Sequence, residues 1–271
     1  MKKILCIVIP VFIVIAAGVS GLFYYLGQRS TPANSDISKN DKAFIKAFEQ
    51  GLEKRTTLAK KNDELQITNP EQYSANSLES YKGLIEAEKN VLQFETVEFD
   101  SPRLQKLAVD YIAGLKLQEE ALTYKMDDTK FSEKWGDGYE ARCVSAIALH
   151  DEFGAEIPEA ALEDFKSSAK SVAEDEEQKN IVDALVKTII FEKVKSEYSY
   201  KTYATTVENT TPYEFDSLTL DIALIKDDVV QETEYASAKN WKPGQKVKLE
   251  FMTDSDFDTY TIDYNYYLKK D

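Results

Sequence analysis

The spacing of apolar residues along this chain changes once, and that change sets the class of fold. From about residue 41 to residue 197 the period is helical: Phe44, Ile45, Phe48, Leu52 and Leu58 recur three to four positions apart, as on one face of an α-helix. From about Tyr198 the period is two. Leu218, Leu220, Ile222 and Leu224 alternate with polar residues, and Val247, Leu249 and Phe251 do the same, as do Tyr260, Ile262, Tyr264 and Tyr266. Strict alternation marks half-buried antiparallel strands. The predicted class is α+β, with an all-α helical bundle at 41–197 and an immunoglobulin-like β-sandwich at 198–271.

Local signals place the helix ends. Asn69-Pro70 and Ser101-Pro102 each pair a capping side chain with a proline whose missing N–H costs nothing in a first turn. The first precedes Tyr81, Leu84, Ile85 and Leu92. The second precedes the wide apolar stripe of Leu104, Leu107, Ala108, Tyr111, Ile112 and Leu115. A further helix is expected from about Phe131 to Phe153, stopped by Gly154, with Gly136 and Gly138 as interruptions near its start. Pro158 opens the last helical stretch, and its acidic insert Glu174–Glu177 reads as a solvated face or a short break. In the strand region, Lys242-Pro243-Gly244 suits a type II turn, since proline fixes one φ and glycine supplies a positive one.

Before the helical region lies an uncharged run of 23 residues, Ile4–Leu26. At 1.5 Å per residue it would extend about 34 Å as a helix, enough for a hydrocarbon core of about 30 Å. Lys2 and Lys3 precede it, which by the positive-inside rule keeps that end cytoplasmic, and Tyr24 and Tyr25 fit the far headgroup boundary. The expectation is a transmembrane signal-anchor helix at 1–26, a flexible polar linker at 27–40, and a cell-membrane, single-pass protein whose ectodomain is extracytoplasmic. The rival is a cleaved signal peptide, with small residues at Ala16, Ala17, Gly18 and Ser20. Cleavable apolar regions are usually about 7–15 residues long, and this run continues past those sites. A lipid-modified Cys6 is disfavoured because that thiol precedes most of the apolar stretch.

Charge narrows the partners. Setting aside Lys2 and Lys3 from 33 basic residues leaves 31 against 48 acidic, a net of −17. That surplus argues against nucleic acid, whose phosphates require clustered cations. Cys143 is the only cysteine beyond the anchor, so an intramolecular disulfide is excluded there, unlike many exported domains of this size. Asn209-Thr210-Thr211 has the form of a glycosylation sequon.

The segment from Val207 to Phe251 resembles the FxLYD type of bacterial surface domain. The matching features are Val207-Glu208-Asn209, the Leu218–Leu224 strand, acidic turn residues before Val229-Val230, and Trp241-Lys242-Pro243-Gly244 ahead of the next strand. Where Phe-x-Leu-Tyr-Asp gives the family its name, this chain has Ile222-Ala223-Leu224-Ile225-Lys226. The resemblance covers about the last quarter of the chain. It implies an immunoglobulin-like sandwich on an anchored Gram-positive envelope protein, and it supplies no catalytic residues.

Candidate sites are few. Cys143 and His150 share a helix face but lie about 10 Å apart along it, too far for a nucleophile and its base. Asp254, Asp256 and Asp258 open like a calcium loop, but Thr259 stands where that loop needs glycine and Asn265 where it needs a bidentate Glu; they are weak metal candidates beside the reading of an acidic hairpin turn. Trp135, Tyr139 and Arg142, at i, i+4 and i+7, could line a polar groove or pack in the core. Tyr260, Tyr264 and Tyr266 could form an aromatic face for a glycan or simply pack. With one histidine and no phosphate loop, no cofactor is expected. The leading expectation is a membrane-tethered, non-enzymatic envelope or surface protein with a binding or structural role, its partners being the membrane and an envelope protein or glycan. The alternatives are an extracytoplasmic hydrolase using carboxylates between the two domains, and a secreted factor released by cleavage.

Overall fold

The computed structural model describes residues 39–124 and 127–269. Five α-helices come first: α1 (Lys39–Thr68), α2 (Pro70–Glu88), α3 (Pro102–Ala121), α4 (Asp128–Phe153) and α5 (Glu159–Val186). Six strands follow: β1 (Glu192–Glu197), β2 (Tyr200–Glu208), β3 (Phe215–Lys226), β4 (Val229–Trp241), β5 (Lys246–Thr253) and β6 (Thr259–Leu268). The chain divides into two units at Ser168/Ala169, each with its own core.

In the helical unit the ends form where local chemistry satisfies otherwise unpaired backbone groups. Asn69 accepts a hydrogen bond from the Gln72 N–H ahead of Pro70, and Ser101 accepts one from the Leu104 N–H ahead of Pro102. Asp41, in the first turn of α1, accepts from the N–H groups of Asp100 and Ser101, which fixes the start of α3 against that of α1. Gly154 closes α4 in the left-handed region at φ 68°, where a side chain would be strained. The core joins Phe44, Phe48 and Leu52 of α1 to Leu104, Tyr111, Ile112 and Leu115 of α3 and to Cys143, Ala146 and Leu149 of α4.

In the second unit the strands form two antiparallel sheets, ordered β1-β2-β5 and β4-β3-β6. Core-facing residues alternate along β3, where Leu218, Leu220, Ile222 and Leu224 are all fully buried. Trp241 is buried with them and donates its indole N–H to the Gln245 carbonyl at 2.8 Å. Both sheets contribute to one core, since Val207, Leu249 and Phe251 cluster with the β3 residues.

The expected architecture is corrected in three respects. The transmembrane helix expected at 1–26 lies outside the described residues, as does the linker apart from Lys39 and Asn40, which begin α1. Among the described residues no helix is long and apolar enough to cross a membrane, because each carries a charged outer face. The architecture of spanning helix, bundle and sandwich is therefore replaced by helices followed by a β-sheet region. The all-β immunoglobulin-like sandwich is replaced too. Its core includes Val182, Leu185 and Val186 of α5, and it has two three-stranded sheets, six strands in place of the seven of a constant-type immunoglobulin domain. A helix thus completes the hydrophobic interior that a seventh strand would help to enclose.

Smaller differences follow from the same contacts. The last helix ends at Val186 and β1 begins at Glu192, ahead of the change of period at residue 198. β1 is exposed along its whole length, so it carries no alternating signal. α4 runs unbroken through Gly136 and Gly138, and α5 runs unbroken through Glu174–Glu177, which are exposed.

Candidate functional site

The most chemically dense part of the helical unit is a buried ionic network that four helices supply. Glu88 at the end of α2 accepts three hydrogen bonds: from Arg55 Nη1 of α1 at 3.1 Å, from Tyr111 Oη of α3 at 2.6 Å and from Arg142 Nη2 of α4 at 2.6 Å. Gln118 Oε1 of α3 accepts from Arg55 Nη2 at 2.9 Å and Arg142 Nη1 at 3.2 Å. Two guanidinium groups therefore share one carboxylate. Arg142, Glu88 and Gln118 are fully buried, and Arg142 Nε has no hydrogen-bond partner. Burial, together with repulsion from Arg142, lowers the Arg55 pKa to about 10 despite its pairing with Glu88. For Arg142 burial opposes the charge, but Glu88 and Tyr111 outweigh it and hold its pKa above the ordinary value. Burial raises the Tyr111 phenol. Both carboxylate oxygens of Glu88 are engaged, so the network fixes the mutual positions of α1, α2, α3 and α4.

Arg55, Glu88 and Gln118 are polar residues the sequence reading passed over, yet a signal marks them. Arg55 continues the stripe of Phe44, Phe48 and Leu52; Glu88 continues Tyr81, Leu84 and Ile85; Gln118 continues Leu104, Ala108, Tyr111 and Leu115. A charged or amide group on the apolar stripe of a helix must find buried partners.

The polar groove considered for Trp135, Tyr139 and Arg142 does not form. Arg142 points into the network, Trp135 packs edge-on to Tyr81 at 4.5 Å and stacks on Phe131 at 5.8 Å, and Tyr139 meets Phe165 at right angles. Burial and the neighbouring Cys143 raise Tyr139 to about 12, and burial raises the Cys143 thiol. His150 has Nδ1 2.8 Å from the Ala155 carbonyl at the helix end. The three aspartates do not converge either. Asp256 pairs with Lys201, Asp258 accepts from the Asp227 N–H at 3.2 Å, and Asp254 is exposed. Among the described residues no group of three or more His, Cys, Asp or Glu could hold a metal ion. Asn209 is 1% exposed and its amide donates to the Tyr213 and Trp241 carbonyls, so the sequon is a structural turn.

Tyr260, Tyr264 and Tyr266 lie on the core side of β6, where the end of α5 and the segment after it engage them. The Tyr260 hydroxyl accepts from the Phe191 N–H at 2.9 Å, Tyr264 donates to Asp183, and Tyr266 accepts from Gln178 Nε2 at 3.1 Å. Burial, with the hydrogen bond to Asp183, raises the Tyr264 phenol. The three rings are thus not an open aromatic face. Beside them, however, lies a cleft of about 460 Å³ lined by Lys179 and Asp183 of α5 and by Asp263, Tyr264, Asn265 and Tyr266 of β6. Its lining thus includes two acidic residues, one lysine, one asparagine and two tyrosines.

One pair of carboxylates in the β unit has separated affinities for protons. Hydrogen bonds from Thr253 and Ser255 lower Glu232, while burial and the charge of Glu232 raise Glu234. The two stand two residues apart on β4, outside the cleft. No family model matches the chain, and neither a curated protein nor a solved structure matches it.

Proposed function

We propose that this chain is a non-enzymatic binding protein of the cell envelope, held at the membrane through the uncharged segment Ile4–Leu26, with the acidic remainder outside the cytoplasm. In this reading the helical unit is a rigid support and the β unit makes the contact. The observation that carries it is the cleft beside β6, where side chains of α5 and β6 present both signs of charge around a half-buried tyrosine pair. Binding sites are concave and orient their ligands through a small number of placed polar groups, and polar groups predominate in this lining. The groups that first suggest chemistry are structurally engaged: Glu88 by three donors, His150 by a helix end, Cys143 by the core. The resemblance of residues 207–251 to FxLYD surface domains points the same way.

Protease shaving of intact source cells tests the location. The expected result is loss of the region after residue 39, with the chain otherwise recovered in the membrane fraction. A chain that survives shaving intact, or that is recovered full-length from cytosol, overturns the proposal.

A further inference from the structure

The cleft is a strand edge, and its lining says so. Asp263, Tyr264, Asn265 and Tyr266 are four consecutive residues. Successive side chains of a strand point to opposite faces of its sheet, and here Tyr264 and Tyr266 are half-buried while Asp263 and Asn265 are exposed. A cavity can touch all four only from the side. β6 ends its sheet in the order β4-β3-β6, and among the described residues no strand pairs with its outer edge. Along such an edge every second residue turns its N–H and C=O away from the ladder; on β6 the Tyr264 N–H donates to the Asp263 carboxylate at 2.9 Å.

The four sheet edges differ in how they are guarded. Folded proteins discourage strand addition with lysines and other charges, prolines or bulges. β1 carries Glu192, Lys193, Lys195 and Glu197; β4 carries Glu232, Glu234 and Lys239; β5 carries Lys246, Lys248 and Glu250. β6 has one charged residue in ten, Asp263, and no proline, and it pairs with β3 without a bulge from Tyr267 to Thr259. Among the described residues it is the least charged of the four edges, and a cleft lies beside it.

We propose that the β6 edge takes up an extended segment of a partner protein as an added strand, with a Lys or Arg of that segment seated beside Asp183 on the α5 side of the edge. Main-chain hydrogen bonds to the edge supply affinity, and the cleft supplies selectivity, as in other cases of strand addition. Charge selects the occupant. The cleft holds two carboxylates against the single ammonium of Lys179, so it favours a cationic side chain. A second copy of this chain is disfavoured, because its exported part is strongly acidic and would bring another Asp263 to the same edge. The inference rests on the reading of the chain as a binding protein, but the two fail separately: shaving reports where the chain works, and the following experiment is done in solution.

Random decapeptides displayed on phage are selected on the full chain purified in mild detergent. Peptides expected to emerge have alternating β-branched or aromatic residues, a central Lys or Arg, and no internal proline. Bound as synthetic peptides, they slow amide exchange across Thr259–Leu268. Asp263→Lys, which guards the edge, weakens them at least tenfold, and Asp183→Asn weakens cationic peptides more than versions with Lys replaced by Gln. Circular dichroism and the unfolding midpoint of each variant show that the fold persists. Selection without enrichment, peptides that ignore Asp263→Lys, or protection elsewhere each overturn the proposal. Self-association of the chain that Asp263→Lys abolishes also overturns it, by assigning the edge to a second copy.

Discussion

Arg55, Glu88 and Arg142 form an unbalanced set, two cations to one anion, inside the helical unit. Removing one member of a buried pair is far more damaging than replacing a pair, because the survivor keeps its desolvation cost without its partner. Glu88→Gln leaves two guanidinium groups facing each other and is expected to destabilise the unit by about 3–5 kcal/mol. Arg55→Met instead leaves a one-to-one pair of Arg142 and Glu88, removes the cation whose charge burial already disfavours, and keeps a side chain of similar length. Its expected cost is below about 2 kcal/mol, since an apolar replacement of similar volume in a buried ionic set is often tolerated. Urea unfolding midpoints of the two variants decide the matter. Equal losses would mean that the surplus positive charge carries no penalty. Arg142 was legible as a residue that pairs or lines a groove, and Glu88 was not, because its partners come from helices 23 to 54 residues away. Spacing within one helix reports which side faces inward but not which distant group waits there.

At the scale of elements, α3 and α4 meet through two glycines. A methyl group built on Gly114 would stand 2.7 Å from the Gly138 carbonyl oxygen, and one on Gly138 would stand 2.5 Å from that of Gly114. The helix backbones are in direct contact there, which brings Gln118 and Arg142 into hydrogen-bond reach across the crossing. Gly138→Ala must push the helices apart and is expected to cost about 1–3 kcal/mol, as overpacking does. Gly83→Ala, in the interior of α2 with nothing within 4 Å of the added carbon, is expected to stabilise by about 0.5–1 kcal/mol, because alanine loses less backbone freedom in a helix. Thermal unfolding of the two variants should move in opposite directions, and a shift of the same sign would remove the close-contact account. This pair also shows what kind of signal a sequence carries. Asn69, Ser101 and Gly154 act on backbone groups three or four residues away, so their roles can be read locally. Gly138 looks like a helix interruption for the same reason, since the only thing that explains it is another helix. The cleft follows the same division: the alternation of Tyr260, Tyr264 and Tyr266 was legible, but Lys179 and Asp183 come from a helix about 80 residues earlier.

Over the whole molecule, α5 serves two interiors. Phe165 belongs to the helical core, while Val182, Leu185 and Val186 belong to the β core, and no residue from Lys166 to Ile181 is buried. The change of hydrophobic period therefore does not mark where the second unit begins, because that unit includes helix. A fragment of residues 192–271 contains all six strands but lacks Val182, Leu185, Val186, Ile189 and Phe191, each at most 6% exposed. At about 1.5–3 kcal/mol for each fully buried large apolar side chain, the loss is roughly 7–15 kcal/mol. That is comparable to the whole net stability of an ordinary domain, about 5–15 kcal/mol. The fragment 192–271 is expected to be unfolded or loosely packed, with poor amide dispersion and no cooperative unfolding transition. The fragment 169–271 keeps the C-terminal part of α5, and with it the hydrogen bonds from Gln178 to Tyr266 and from Tyr264 to Asp183, and is expected to unfold cooperatively. A well-dispersed, cooperatively melting 192–271 would show that the strands close their own core, and α5 would then be a covering element in place of a structural one. Because α5 also forms one wall of the cleft, the same comparison bears on recognition: the strand edge should have a defined partner-binding form only in the fragment that retains Lys179 and Asp183.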